Sequence, residues 1–508
     1  MSKLLFLKSL TNVYTTERIA LDVLNNPIYD DNPLINKDSI ERAFDLYGDK
    51  LNPLNKKSIP ALTDIDLNIE GNFIAKNIPE IESVVINEIC TKENLYKIID
   101  KNNDTTHIAL STYAIGMANT LEIIHLLQKD FAQIELFVGG VGSVYPLLQN
   151  VVPPKNLCIG EGVNFIRKKF GLKPLVGRDF KIPMIYGNST NLPLSIKTYY
   201  MVTQLGCPHK CDFCITPNFY DHFPFSNAAK IIDYFEKLLN SNLKEIFVYL
   251  CDPNGFYPEK TWKKVFDYFI QNRSKTDKNI FIMGLASLEH INKFDIEKIQ
   301  EFCPIKFIGI NYGIESTLNG GYLKNSNVAK KVIDRLNSNN IISFHNCIIG
   351  LPIHTKKNIH LDIQNNCSLN SDIISINTFK PIPRTQIYNE MNAQNRLLLD
   401  KLPPDFLYME GYLPFKHQYL GFGFDILPYA FEAYYESEKQ LIDFYSNIAD
   451  KLISMYSISN LKSIKNAIKI LVSLSKYNFE SFSQRMPSNL SELYKLKLNQ
   501  IKVKTQNF

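Results

Sequence analysis

The chain of 508 residues is long enough for about three domains at roughly 150 residues each. Its 45% hydrophobic content is that of a globular protein, and a formal net charge of +5 is too small for this length to point to nucleic acid. No apolar run approaches the ~20 residues that span a bilayer, so no stable membrane insertion is expected, and the opening MSKLLFLKSL is too short and too soon polar for a signal peptide. Outside one cluster the cysteines (Cys90, Cys158, Cys251, Cys303, Cys347 and Cys367) are scattered as buried thiols, which suits a reducing cytoplasm.

In chain order, residues 1–75 read as an irregular N-terminal extension, rich in Asn, Asp and Pro, that wraps over the later domains. Residues 76–180 alternate strands and helices. A strand is expected at 106–111, ending in Ser111 and Thr112, and a helix at 118–130, with Leu121, Ile124 and Leu127 at helical spacing. A second strand at 134–138 ends in Gly139, Gly140 and Gly142, and a third short one at 157–162 enters a turn at Gly160 and Glu161. This is the rhythm of a small Rossmann-like parallel sheet. His107, inside the first of these strands, is expected to be a satisfied core histidine.

Residues 190–395 hold six strand patterns, at 196–204, 245–250, 280–287, 307–312, 343–349 and 373–379, with helical patterns between them. Six such β/α repeats make a partial (β/α)6 barrel whose chemistry lies at the strand carboxyl ends. Residues 396–508 read as a mostly helical C-terminal domain. An aromatic stretch before those helices (Tyr408, Tyr412, Phe415, His417, Tyr419, Phe422 and Phe424) either covers the barrel mouth or packs an interface, and His417 is a candidate for acting on a substrate proton. The fold class is therefore α/β, with a Rossmann-like domain, a partial barrel and a helical end.

The end of the first barrel strand carries Gly-Cys-Pro-His-Lys-Cys-Asp-Phe-Cys, with Cys207, Cys211 and Cys214 spaced C-x3-C-x2-C. Three thiolates this close can hold three corners of a cubane iron–sulfur cluster and leave its fourth iron open. A structural zinc site is the competing reading. His209, however, lies between two of the cysteines, too close to reach the same metal easily, and no second C-x2-C occurs after it.

The pattern resembles the radical S-adenosylmethionine (SAM) superfamily. Gly-Ile-Glu-Ser at 313–316 and Ile-Gly-Leu-Pro-x-x-Thr at 349–355 resemble its fourth- and fifth-strand signatures. Pro-x-Pro-x-Thr at 381–385 resembles its sixth-strand end, except that Arg384 stands where the wider family often has glycine. The resemblance implies a 4Fe-4S cluster on Cys207, Cys211 and Cys214 whose open iron binds the amino and carboxylate groups of SAM. It puts Phe213 beside the adenine and the Asp252–Asn254 turn at the SAM amino group. Ser287 and Glu315 fall at the ribose and methionine ends, and Ile349 and Gly350 against the adenine.

The upstream sheet is similar to the cobalamin-binding domain that precedes many radical SAM barrels. Carried over, Ser111, Thr112, Gly139, Gly140 and Gly142 face the nucleotide tail and corrin, with Gly160 and Glu161 in the neighbouring turn. The Asp-x-His-x-x-Gly motif of many such domains is absent, so cobalamin occupancy stays open. The resemblance implies an enzyme that cleaves SAM to a 5′-deoxyadenosyl radical and, with cobalamin, methylates an unactivated carbon of a small-molecule or natural-product intermediate. An electron donor such as flavodoxin or ferredoxin is the implied partner. A cobalamin-free radical rearrangement or cyclisation is the alternative, and a structural metal-binding scaffold is the rival from another class. No catalytic side chain is assigned.

Overall fold

The run Lys3–Lys8 is apolar at every inner position, the pattern of a strand buried on both faces. It forms strand β1, parallel to β2 (Glu82–Val85) on one side and to β3 (His107–Ser111) on the other. Strand β4 (Glu135–Gly139) pairs with β3, giving an all-parallel sheet of order β2-β1-β3-β4. Leu5 and Leu7 pack on one face beneath α2 (Lys92–Lys101) and α3 (Met117–Asp130), while Leu4 and Phe6 pack on the other beneath α1 (Ile69–Lys76) and α5 (Gly162–Lys169). Helix α4 (Pro146–Val151) adds Leu148 to the first of these cores.

This computed structural model describes residues 2–9, 67–114, 116–188, 197–220, 226–243, 246–272, 278–318, 326–339, 341–398 and 415–430, with isolated positions between and after them. The expected helical domain therefore lies outside the described residues from 434 onward.

Two expectations for the first unit are corrected. The chain's first residues do not drape over the domains; Lys3–Lys8 is an inner strand of the sheet. A run without alternation and far from its partners carries no periodic signal. The segment expected as a third strand at 157–162 makes one parallel bridge, Leu157 to Val138, and then turns at once into α5.

The second sheet has the order β13-β12-β11-β10-β9-β6-β5. Strand β5 (Ile185–Asn188) is antiparallel to β6 (Lys197–Met201). A short ribbon, β7 (Gln204–Leu205) with β8 (Phe223–Pro224), comes after β6. Strands β6, β9 (Ile246–Leu250), β10 (Ile280–Leu285), β11 (Ile305–Glu315), β12 (Ile342–Ile349) and β13 (Ile373–Thr378) run parallel in chain order. That is the expected six-stranded partial barrel.

Alternate strand residues such as Tyr199, Val248, Ile282, Ile310 and Tyr312 face outward into a core built with α7 (Ala228–Leu239), α8 (Glu259–Gln271), α10 (Ile296–Phe302) and α11 (Ser326–Ser338), centred on Trp262, Phe266 and Phe307. Short helices α6 (Thr216–Phe219) and α9 (Leu288–Ile291) sit in the loops above β6 and β10, and α12 (Ile359–Cys367) and α13 (Gln386–Ala393) come after β12 and β13. A two-stranded hairpin, β14 (Lys416–His417) with β15 (Gly421–Phe422), closes the described chain over a core containing Ile349 and Leu351.

The two sheets meet at their carboxyl edges. Phe219 is buried in the first unit's core, with Ile215, Tyr220, Ile382 and Tyr388 packed around it, and Cys251 at the end of β9 packs against the core holding Phe6. Leu5→Ala, in the middle of β1, should cost roughly 2–5 kcal/mol as an internal cavity. Lys3→Ala, which removes an ion pair with exposed Asp104, should cost well under 1 kcal/mol. Denaturant unfolding of both variants checks this ranking.

Candidate active site

The cysteine loop has a built neck. Gln204–Leu205 pairs with Phe223–Pro224, so everything between is pinched at its base, and the left-handed Gly206 (φ 72°) turns the chain into the loop. Cys207, Cys211 and Cys214 are half-buried, and the Cys214 N–H donates to the Cys211 carbonyl at 3.1 Å. His209 stacks on His290, ring centroids 5.4 Å apart, and His290 stacks in turn on Tyr257 at 4.9 Å. Among the described residues no three His, Cys, Asp or Glu side chains converge on one point, so the loop offers a three-thiol donor set without drawing it together.

The neck is held by two residues that the sequence placed at the SAM amino group. Asp252, 2% exposed, accepts hydrogen bonds from the Thr203 N–H at 2.7 Å, from the Thr203 hydroxyl and from the Gln204 N–H at 3.3 Å. Burial pushes its carboxyl up to about 6 against the opposing pull of those bonds. Asn254, equally buried, accepts the Ser287 N–H at 2.9 Å, contacts His290 Nδ1 at 3.0 Å through its amide nitrogen, and takes the Gln204 side-chain amide on its carbonyl. Both side chains thus lash the ends of β6, β9 and β10 together.

The other barrel residues gather around the same mouth. Phe213 packs against the core that contains Ile349. Ser287 has a buried hydroxyl with no hydrogen-bond partner. Glu315 ends β11 at φ 65°, next to a register shift against β12, and Gly350 comes directly after β12 at φ 88°. A Cβ at Gly350 would stand 2.6 Å from Ile426, so the position is closed to other residues. Arg384 is exposed and adopts φ 73°, the backbone that a glycine takes without cost. Left-handed non-glycine residues of this kind store strain and cluster at functional sites.

His417 is corrected as a candidate for proton chemistry. It is 1% exposed, its Nδ1 accepts the Tyr419 and Leu420 N–H groups at 3.1 Å, and its Nε2–H donates to the Leu351 carbonyl at 3.0 Å. It ties the hairpin to the loop after β12. His107, as expected, is a packed residue: its ring lies 4.8 Å from Phe170 and 5.7 Å from Phe137, and its Nδ1 contacts the Thr106 hydroxyl at 2.8 Å.

At the edge of the first sheet the glycines do two different things. The Thr112 hydroxyl and N–H both donate to the Gly139 carbonyl at 2.8 Å, and the Thr112 carbonyl accepts the Gly142 N–H at 3.0 Å. A Cβ at Gly140 (φ 88°) would lie 2.4 Å from the Thr112 carbonyl. Thr112 and Gly142 therefore weld β3 to β4. Glu161 is the N-cap of α5, accepting the Val163 and Asn164 N–H groups, and burial raises its carboxyl while those bonds lower it. Ser111, Gly139, Gly140 and Gly160 do line a cavity of about 80 Å³ between the sheet edge and α1.

Sequence reasoning missed the polar wall of that cavity. Asn68 and Glu70, at the start of α1, line it, and Asn68 Nδ2 and Glu70 Oε2 are buried with no hydrogen-bond partner. The other Glu70 oxygen accepts the Tyr113 hydroxyl. No motif marked them, because α1 lies at the end of a segment read as irregular. Tyr220, on the return arm of the cysteine loop, forms another wall, and a Cβ at Gly160 would come within 3.2 Å of the Phe219 carbonyl.

No protein-family model and no curated protein matches the chain. Solved structures do. The radical SAM methyltransferase TsrM from Kitasatospora setae, with tryptophan substrate and a SAM analog bound, aligns with a TM-score of 0.51 at 11% identity over 78% of this chain and 76% of its own. The cobalamin-dependent radical SAM enzyme OxsB with aqua-cobalamin bound aligns at 0.50 and 12% identity over 87% of this chain and 78% of its own. The fold is that of the cobalamin-dependent radical SAM enzymes. In this fold the cysteine loop stands at the carboxyl end of the first parallel strand of the barrel, and the Rossmann-like sheet presents its carboxyl edge to the same mouth.

Burial also pushes the imidazoles of His417 and His345 down to about 4. The unfolded chain, with imidazoles near 6.5, takes up those protons first, so the stability they leave intact above pH 6.5 is lost as pH falls towards 4. Asp252 works the other way: its raised carboxyl gains stability as pH falls from about 6 to its unfolded value of 3.8. Thermal unfolding at stepped pH should show a net loss between pH 6.5 and 5, each buried imidazole losing about 1.5 kcal/mol and Asp252 offsetting about 1 kcal/mol of the total. His417→Gln should flatten that slope and Asp252→Asn should steepen it.

Proposed function

We propose that this chain is a radical SAM enzyme that methylates a carbon of a small-molecule biosynthetic intermediate with the help of cobalamin. The observation that carries the reading is the placement of three half-buried thiols on one pinched loop at the barrel mouth, facing a second parallel sheet whose carboxyl edge holds a cavity with unpartnered buried polar atoms. The donor set fits a 4Fe-4S cluster: three thiols from one loop, with the neighbouring histidine engaged in a ring stack. When bound, such a cluster supplies the electron that splits SAM into methionine and a 5′-deoxyadenosyl radical.

Cys207, Cys211 and Cys214 would hold the cluster. Phe213, Ile349 and Gly350 would pack the adenine, and Ser287 and Glu315 would hydrogen-bond the ribose and methionine ends. The buried, unpartnered Ser287 hydroxyl supports that role. Asp252 and Asn254 act through the neck of the loop, holding it in place. A closed barrel mouth keeps water and other hydrogen donors from the substrate radical.

The cavity fits one end of a cobalamin, which when bound supplies the methyl group. Asn68 Nδ2 offers a donor and Glu70 Oε2 an acceptor against apolar walls, with Ser111, Gly139, Gly140 and Gly160 at the rim. Both relatives named above cover most of this chain, and one of them was solved with aqua-cobalamin. The electron is taken to come from a small carrier such as flavodoxin or ferredoxin in the cytoplasm. Among the described residues no helix is long and apolar enough to cross a membrane.

The test is made on anaerobically purified, cluster-reconstituted full chain. Reduction in the presence of SAM should yield 5′-deoxyadenosine, and the Cys207→Ala, Cys211→Ala, Cys214→Ala triple variant should yield none. Absence of cleavage in cluster-loaded wild type leaves the scaffold reading standing. Cobalamin should bind near one equivalent, and cobinamide, which lacks the nucleotide tail, should bind at least about tenfold more weakly. No cobalamin binding in protein that cleaves SAM moves the reading to a cobalamin-free rearrangement or cyclisation.

A further inference from the structure

His354 closes the turn after β12, and Asp362 lies on α12; both side chains are fully buried. The Gly350 N–H donates to His354 Nδ1 at 2.9 Å, so Nδ1 carries no proton and Nε2 does. That Nε2–H reaches Asp362 Oδ2 at 2.8 Å. The other Asp362 oxygen accepts the Thr317 N–H and the Thr317 hydroxyl, both at 2.6 Å, and the Asn366 amide at 3.1 Å. Burial raises the Asp362 carboxyl, but the bonds from His354, Thr317 and Ser316 outweigh it and hold it below its usual value.

An unbroken line of hydrogen bonds therefore runs Thr317–Asp362–His354–Gly350. Its two ends lie beside left-handed turns of the barrel backbone. Thr317 stands two residues after Glu315, at φ 65°, and Gly350 is itself at φ 88°. Left-handed backbone at a non-glycine residue costs on the order of 1–3 kcal/mol and persists only when its surroundings over-determine it. The Glu315 turn has the line behind it. The Gly350 turn has the line on one side and Ile426 on the other.

We propose that His354, oriented by Asp362, is the positioning residue that fixes the ends of β11 and β12 together, so that Glu315 and Gly350 are set for SAM before it arrives. This inference rests on the reading that those strand ends hold SAM. His354 touches no substrate in this scheme. It acts by presenting one acceptor and one donor, at a fixed separation, to two loops at once. The pair of contacts needs a neutral ring with the proton on Nε2, which both neighbours enforce.

Two substitutions separate that role from simple packing. His354→Gln keeps an acceptor for Gly350 and a donor for Asp362, whereas His354→Leu keeps bulk and loses both. Thr317→Val removes one hydroxyl bond at the far end of the line and serves as the milder probe should His354→Leu fold poorly. In cluster-loaded full chain, His354→Leu should raise the dissociation constant for SAM by about tenfold, the equivalent of about 1.4 kcal/mol. Its rate of 5′-deoxyadenosine formation at saturating SAM should stay within about threefold of wild type, because the chemistry is untouched. His354→Gln should bind SAM like wild type, and Thr317→Val should fall between.

Wild-type affinity in His354→Leu, or an equal loss in His354→Gln, overturns the proposal. Amide exchange at Gly350 and Thr317, read without SAM, gives the independent arm: both amides should exchange faster in His354→Leu. Unchanged exchange overturns the proposal even if wild type fails to bind SAM, a failure that would sink the SAM reading on its own.

Discussion

The barrel mouth depends on one buried carboxylate. Asp252 sits at the end of β9 and receives three hydrogen bonds from Thr203 and Gln204, the last residues before the cysteine loop. A loop carrying three thiols has many conformations to lose, and each anchor at its neck is ordering entropy supplied in advance. The ribbon of β7 and β8 fixes the loop's two ends to each other, and Asp252 fixes that ribbon to the barrel. Asn254 extends the lashing to Ser287 and His290, and His290 stacks on His209 inside the loop. Burying a carboxylate for this purpose is costly, as its raised proton affinity shows, and only the converging donors make it tolerable.

The same mouth is approached from the other unit. Phe219 and Tyr220, a few residues past Cys214, belong to the Rossmann-like core and to its cavity wall. The cavity wall and the cysteine loop thus share one stretch of chain, through Tyr220. Whatever fills the cavity presses on the residue that begins the loop's return path, and whatever orders the loop shapes the cavity.

Much of this was legible in the residues alone. The C-x3-C-x2-C spacing and the six strand patterns needed no structure, because both are local: a cysteine spacing and a buried run between turn residues. What stayed hidden was whatever depends on a partner far along the chain. Asp252 and Asn254 were visible as polar residues at a strand end, but not that their partners come from β6 and β10 instead of a ligand. Thr112, Gly142 and Glu161 were visible as polar and small residues at a sheet edge, but not that Thr112 and Gly142 bond β3 to β4 and that Glu161 caps α5. Asn68 and Glu70 had no motif at all; only their orphaned atoms beside a cavity mark them. Arg384 is the reverse case. Its departure from glycine was plain in the sequence, and the structure shows the chain keeping glycine's backbone there at a cost in strain.

The inner strand β1 has a consequence for synthesis. The Lys3 N–H donates to the hydroxyl of Thr106, 103 residues further on, and its neighbours in the sheet are β2 and β3, both made much later. At translation speeds of ~5–20 residues per second, the strand waits on the order of ten seconds for β3 to leave the ribosome. Throughout that interval Leu4, Leu5, Phe6 and Leu7 form an unpaired β-prone run of the kind that seeds aggregates. The run is bracketed by Lys3 and Lys8, and a flanking charge at each end is how natural chains keep such segments from pairing with one another before the right partner arrives.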